Sequence, residues 1–285
     1  MSVWERFESR LVITARLVAR TGLRIGAGSV DSAQPAASNL PVLRGADARP
    51  YIPGSSLRGV LRSQIERLAR TMESTPGAGR GACMPVIDNA ICVTAATAET
   101  FRRAARTATR AGADGDAQFA AQIWAATCRV CRTFGSPWLA SRVRIADLAL
   151  AEGDGRVEVR DGVAIHREKE TVQAKYDFEL VPPGTAFRLQ ITAENMNPAE
   201  RGLLWLGLRE LAAGHILLGG FKGRGLGLVD VAELQLTEVT SADRSAFYHY
   251  LRSGTMTEVT TTTADSWLDA LWREWEEADY AHPPV

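Results

Sequence analysis

Residues 51–70 read YIPGSSLRGVLRSQIERLAR. Leu57, Val60, Leu61, Ile65 and Leu68 recur at helical spacing behind Pro53-Gly54, and Ser55 or Ser56 is placed to cap the start. The expectation is an amphipathic helix whose first turn follows a Pro-Gly bend. Such a helix start offers free N–H groups and the positive end of a dipole, which suits an anion. Arg58 and Arg62 stand four apart and share a face. Taken alone, such a segment is more often a capped surface helix.

Upstream, Arg10–Arg20 alternates Leu11, Ile13, Ala15 and Leu17 against Arg10, Thr14 and Arg16, the pattern of a half-buried strand. A long Gly-rich polar loop joins it to the helix. Downstream, residues 83–131 form a cysteine-bearing insertion around an Ala-rich helix at roughly Ala96–Thr109. Residues 141–181 turn β-like, with turn signals at Gly153-Asp154-Gly155 and Asp161-Gly162. Phe187, Leu189 and Ile191 alternate with polar residues as a further strand. A second helix is then marked by Asn197 as cap, Pro198 at its first position, Leu204, Leu208 and Leu211 as its buried face, and Gly214 as its stop. A Gly-dense turn and a strand to about Val239 follow. The chain therefore reads as α+β, with an order that resembles a ferredoxin-like (RRM-type) sheet carrying helices on one face.

Composition sets outer limits. In 285 residues, 33 Lys+Arg balance 33 Asp+Glu, 46% of residues are hydrophobic and 23% charged, so the chain is not a disordered one. The balance hides a segregation: from Asp265 onward the charge is −5 and before it +5. Only three of the basic residues are lysines, at Lys169, Lys175 and Lys222. No apolar stretch approaches a membrane span, and MSVWERFESR lacks a signal-peptide core, which points to a cytoplasmic protein without a membrane partner. Beyond the Thr-rich Ser253–Ala264, read as a linker, Trp267, Leu268, Leu271, Trp272 and Trp275 form one helical stripe opposite the acids. That helix either folds back on its own domain or docks on a neighbour.

Disulfides are disfavoured in the cytosol, so the four cysteines need another role. They are spaced Cys83-x8-Cys92-x35-Cys128-x2-Cys131. A CxxC pair can hold one ion in a tight turn, and four thiolates close a site without an open position. A structural zinc is therefore expected, against the alternatives of a redox CxxC and of buried cysteines acting as small hydrophobes.

Two further segments carry chemistry. Leu218–Leu228 holds five glycines within nine residues, with Lys222 and Arg224 among them, so backbone N–H groups and positive charge meet at one place. It is no Walker loop, since the glycines open no helix. A bulged glycine hairpin is the plainer reading, and the cations favour phosphate contact. Gly162–Glu179 carries His166, Arg167, Lys169 and Lys175. It reads as a solvated hairpin or as a basic arm following a polynucleotide backbone.

In order, these segments resemble the RAMP (repeat-associated mysterious protein) superfamily, and within it the backbone subunit of type III CRISPR effector complexes. The matching phrases are Thr21–Gly28 after the first strand, Tyr51–Val60, Phe134-Gly-Ser136 with Ser141-Arg-Val143 and Asp147, and Gly219-Gly220 through Arg224–Gly227. The similarity covers about Arg10 to Val239. It implies a domain over residues 1–240 that binds RNA, with a β-hairpin thumb at about 160–182, and the insertion at about 80–135 carries the zinc expected from the cysteine spacing. Residues 241–285 would be a linker and an acidic Trp-rich helix. It implies as partners CRISPR RNA, complementary target RNA, copies of this chain and other effector subunits. The implied RNA contacts are Gly26, Ser55, Ser56, Arg58, Arg62, His166, Arg167, Lys169, Lys175, Gly220, Lys222, Gly223, Arg224 and Gly225.

Relatives that cut target RNA carry an Asp in the loop before the Pro-Val that precedes the first helix. Here Ser38-Asn-Leu-Pro-Val42 puts Asn39 there, and an amide is neither a carboxylate base nor a strong metal ligand. Asp31 lies in the same loop at a different offset. The expectation is a scaffold that cuts weakly or not at all, the alternative being a target-RNA endoribonuclease using a divalent metal. No His precedes His166, which counts against a guide-processing ribonuclease with an N-terminal-half His as base.

Overall fold

The computed structural model describes residues 5–27, 38–73, 75–87, 90–166 and 168–277. Strand β1 (Ser9–Ala19) is the hub. Its burial alternates residue by residue, as the sequence pattern requires of a strand with one covered face. Helix α1 (Gly54–Met72) follows, then α2 (Ala95–Arg110), α3 (Gly115–Ala126) and α4 (Arg129–Phe134), which build the cysteine-bearing insertion. Strand β2 (Val143–Ile145) returns to the sheet. A two-stranded hairpin of β3 (Glu158–Ile165) and β4 (Val172–Leu180) stands apart from it. Next come β5 (Ala186–Glu194), α5 (Pro198–Ala212), β6 (Val229–Thr240), α6 (Arg244–Ser253), β7 (Thr257–Val259) and α7 (Thr261–Glu276).

The main sheet has the order β2-β5-β1-β6-β7, and every neighbouring pair is antiparallel. Thus β1 and β2 run the same way with β5 between them, while β5 and β6 run the same way with β1 between them. Leu11, Ile13, Ala15 and Leu17 meet Ala193, Ile191, Leu189 and Phe187 across the β1–β5 ladder. The β1–β6 ladder slips between Thr14 and Arg16, where Glu233 adopts a left-handed φ of 52°. That bulge changes the phase of β6: Val229 and Val231 pair with inward residues before it, Leu236 after it. Without it Leu236 would face the other side of the sheet.

Leu57, Leu61 and Ile65 of α1 and Leu204, Leu208 and Leu211 of α5 share one core with the inward residues of β1 and β5. Each fully buried Leu or Ile contributes about 1.5–3 kcal/mol by leaving water. A complete capping box starts α5: the Asn197 side chain accepts the Glu200 N–H, and Glu200 accepts the Asn197 N–H. Glu200 also pairs with buried Arg142.

Three local expectations change. Asp161-Gly162 is not a turn: it lies mid-strand in β3, opposite Asp177 and Tyr176, and the hairpin reverses between His166 and Thr171. A Cβ on Gly162 would fall 2.4 Å from the Tyr176 ring, so the glycine makes room for an aromatic. The Thr-rich segment is not a plain linker. It supplies β7, which pairs Val259 with Leu236 at the sheet edge, and Thr260, which caps α7. Trp272 leaves the C-terminal stripe and is 48% exposed, whereas Trp267, Leu271 and Trp275 are buried with Ala264 against the α5 side of the core.

Helix α7 approaches α5 closely because position 202 lacks a side chain. A Cβ there would stand 2.1 Å from the Trp267 carbonyl oxygen. Gly202→Ala is therefore expected to cost about 1–3 kcal/mol, read as a lower urea midpoint, with earlier proteolytic release of the C-terminal helix. Unchanged stability and protection would show that α7 does not depend on this contact.

Candidate nucleic-acid interface and metal centre

The glycine turn is pinned by backbone hydrogen bonds to the segment after β1. The Gly220 N–H donates to the Arg24 carbonyl (2.8 Å) and the Gly227 N–H to the Gly22 carbonyl (3.0 Å). Gly219 and Gly227 take φ of 75° and 97°, and a Cβ on either would fall 2.2 Å from a backbone oxygen. By contrast, a Cβ on Gly223 or Gly225 would meet nothing within 4 Å. The tip of the turn, a short helical turn over Lys222–Arg224, is thus open for close approach.

Phe221 sits in the same turn at φ 59°, a left-handed conformation that costs a non-glycine residue about 1–2 kcal/mol. Its ring is held edge-on to Phe178 of β4, with centroids 4.8 Å apart. The Arg24 and Arg224 guanidiniums lie 4.9 and 4.7 Å from the same ring, and Arg224 is also 5.4 Å from the Tyr176 ring. The Arg24 head occupies a slot between Gly26 and Gly220, where added Cβ atoms would fall 2.7 and 3.3 Å from its Nη1. Burial pulls the Arg24 guanidinium down from its ordinary value, with the Glu179 charge opposing. The Arg24 Nε and Tyr176 Oη are buried and find no hydrogen-bond partner among the described residues. The structure thus places Arg24, Phe221 and Tyr176 at the glycine turn, beside Lys222 and Arg224. Nothing in the sequence tied the aromatics of β4 to residue 221.

The edge of β4 that is not paired with β3 receives the loop before α1. The Asn39 N–H donates to Asp177 Oδ1 (3.0 Å), Leu40 bridges to Phe178, and buried Glu179 accepts from the Val42 N–H (3.0 Å) and Arg44 (2.9 Å). Strand β4 is therefore a wedge between β3 and the Asn39 loop, and its Phe178 and Tyr176 side chains share one apolar cluster with Leu40 of that loop and Phe221 of the glycine turn. Asn39 is exposed. Beyond the wedge, Lys169 and Lys175 lie exposed on the outer hairpin, and His166 is half-buried at its turn. Asp31 and Arg167 lie outside the described residues.

The first helix starts differently from expectation. Pro53 is its cap residue, and Ser55 and Ser56 lie inside the first turn, so neither serine caps it. Asp147, two residues past β2, accepts the Gly54 N–H at 2.8 Å instead. Arg58 and Arg62 do share a face, but it is turned to the cysteine insertion. Arg58 donates to the Phe134 carbonyl, and Arg62 donates to the Gly135 carbonyl (3.0 Å), Glu66 (2.7 Å) and Cys131 Sγ (3.4 Å). The two arginines are not brought to the glycine turn.

The four cysteines converge. Their Sγ atoms all lie within 4.8 Å of one another, Cys83 and Cys131 at 3.5 Å, and none is disulfide-bonded. Cys128 caps α4 and Cys131 falls in its first turn, while Cys83 and Cys92 come from the loop ahead of α2. Hydrogen bonds from Cys131, then Cys83 and Cys92, pull the Cys128 thiol down despite burial, and the bond to Cys128 pushes Cys131 up. Tetrahedral thiolates about 2.3 Å from an ion stand about 3.8 Å from each other, so this donor set is compatible with a structural zinc.

The contrast between the glycines is measurable. Gly227→Ala forces a Cβ onto the Leu218 carbonyl at a left-handed φ, and its expected cost is at least about 1–3 kcal/mol. Gly223→Ala, in open space, is expected to leave the melting temperature unchanged. Equal melting temperatures for both variants would contradict the turn geometry.

A family model described as the RAMP superfamily matches residues 16–230, from β1 through the hairpin and glycine turn into β6. The chain is also 45% identical over 62 residues to the CRISPR system Cms endoribonuclease Csm3 of Methanothermobacter thermautotrophicus. That stretch is 21% of this chain, and the chain spans about a quarter of that relative's length (25%). Among the described residues, no helix is long and apolar enough to cross a membrane. With three quarters of its length inside the family match, the chain belongs to the RAMP superfamily.

Proposed function

We propose that this chain is the guide-binding backbone subunit of a type III CRISPR effector complex. It holds CRISPR RNA so that complementary target RNA can pair with it. One observation carries this reading: the β4 wedge gathers the open cationic glycine turn and the Asn39 loop at one place, the turn packed on its aromatic side chains and the loop bonded to its free edge. Gly223 and Gly225 let a sugar–phosphate backbone approach, Gly26 and Gly220 seat the Arg24 head, and Arg24, Lys222 and Arg224 supply the charge. Ser55 and Ser56 offer a hydroxyl-bearing helix start, and His166, Lys169 and Lys175 extend the contact along the thumb. Base pairing would read the sequence, as in other RNA-guided systems. The core is read as ferredoxin-like, because two interleaved β–α–β units supply its four main strands, and it forms the module of residues 1–240. The cysteine centre is assigned to zinc in a structural role. Copies of this chain and other effector subunits would line the same guide in the cytoplasm.

The chain is proposed to cut weakly or not at all, since Asn39 stands at the family's acid position. A second reading, a metal-dependent target-RNA endoribonuclease, draws support from the relative's printed name and from the Asp177 carboxylate beside Asn39.

Two experiments test these readings. A discrete small RNA bearing a CRISPR repeat tag is expected to copurify with the complex. Arg24→Ala and Arg224→Ala should each weaken RNA binding and lower the salt slope by about 0.7 per lost phosphate contact. Absence of RNA, or unchanged slopes, would overturn the binding role. Assembled complex given complementary RNA and a divalent metal should leave that RNA largely intact. Regular cutting that Asn39→Ala, Asp31→Ala or Asp177→Ala abolishes would establish the nuclease instead.

A further inference from the structure

Helix α1 carries a stripe that its apolar periodicity does not explain. Arg58, Glu66 and Arg70 join Arg62 at intervals of four, so all four line one face. This face is polar yet half-covered, and each basic member reaches into the cysteine insertion. Arg58 and Arg62 donate to the carbonyls of Phe134 and Gly135, and Arg70 donates to the Cys83 carbonyl at 2.9 Å. Glu66 bridges Arg62 at 2.7 Å and Arg70 at 3.8 Å.

Arg62 differs from the other two because its Nη2 also reaches a sulfur, Cys131 Sγ, at 3.4 Å. Among the described residues it is the one cationic side chain with a hydrogen bond to a cysteine sulfur. Four thiolates around a divalent ion leave a doubly negative centre. Cys83, Cys128 and Cys131 are at most 2% exposed, so that charge would sit out of water. Buried charge is tolerated when it is paired and hydrogen-bonded. The guanidinium supplies both, and its own orientation is locked by Glu66 and the Gly135 carbonyl.

We propose that Arg62 is a positioning residue of the metal centre. Its N–H···S bond orients the Cys131 thiolate and offsets the charge of the bound ion. This rests on the zinc reading above and gives Arg62 a role other than contact with RNA. Groups that support ligands in this way usually govern metal affinity by about 10–100-fold. The stripe also ties the insertion to the helix whose first turn starts at Gly54.

The test uses the full chain under reducing conditions, with zinc affinity read by competition against a colorimetric chelator. Cobalt(II) serves as a second probe through its thiolate charge-transfer band. Arg62→Gln is expected to weaken zinc binding about ten-fold or more and to shift the cobalt band. Arg62→Lys, which keeps the charge and one donor, should recover part of both, and it carries the comparison if Arg62→Gln does not fold. Arg70→Gln removes a stripe contact that touches no sulfur, and it should retain zinc affinity. At saturating zinc, Arg62→Gln should bind a single-stranded RNA oligonucleotide as the unaltered chain does. Unchanged zinc affinity in Arg62→Gln overturns the proposal, as does an equal loss in Arg70→Gln or a loss of RNA affinity at saturating zinc. Failure of the unaltered chain to take up zinc or give a cobalt–thiolate band is a separate signature, and it would remove the metal reading itself.

Discussion

The placement of β1 between β5 and β6 is the constraint on which the rest depends. Because the strand alternates strictly, its inward residues must meet inward residues on both partners at once. The β5 ladder satisfies this directly, while β6 needs the bulge at Glu233 to keep Val231 and Leu236 on the same side. Once that face is set, α1 and α5 have one surface to cover. The continuation of β1 through Gly22–Ile25 then becomes the rail to which the glycine turn and the hairpin base are bonded.

A second hub lies at the far end of α1. Glu73 accepts from Arg129 through two bonds, from the Gly81 N–H at 2.8 Å and from Trp275 Nε1 at 3.2 Å. Arg129 also reaches Glu274. An ion pair this buried is stable because both carboxylate oxygens of Glu73 and all three guanidinium nitrogens of Arg129 find partners. It joins the end of α1, the start of α4 and the end of α7, so the cysteine insertion and the C-terminal helix share one anchor. The acidic tail is accordingly engaged on its own domain: Asp265 accepts from the Trp205 indole and Arg209, and Glu274 pairs with Arg129. The zero net charge is a sum over faces that serve different ends. Acids of α7 meet α4 and α5, and Arg24, Lys222 and Arg224 gather at the glycine turn.

Much of this was legible in the sequence because local rules act over a few residues. The alternation of β1, the capping box at Asn197 and Glu200, and the stripe of Trp267, Leu271 and Trp275 are all short-range patterns. Convergence of the four cysteines was legible as one of three readings, because a CxxC pair in a tight turn can share an ion with two further thiolates. Misreadings arose where a residue's local preference yielded to a neighbour distant in sequence. Asp161-Gly162 has turn chemistry, yet the glycine admits the Tyr176 ring across a ladder. Ser55 and Ser56 have cap chemistry, yet Asp147 occupies the position of the acceptor.

The sequence by itself determined which residues share a face, because the periods of strand and helix follow from backbone geometry. It also determined where α5 starts and stops, through Asn197, Pro198 and Gly214, and which thiols were available to hold a metal. Only the tertiary structure decided what each face meets. It turned Arg58 and Arg62 from an anion site toward the cysteines, set Arg24 between Gly26 and Gly220, and laid Phe221 against Phe178. The reason is physical: periodicity specifies direction relative to an element's own axis, whereas contact depends on how separate elements are placed, and the shared core sets that placement.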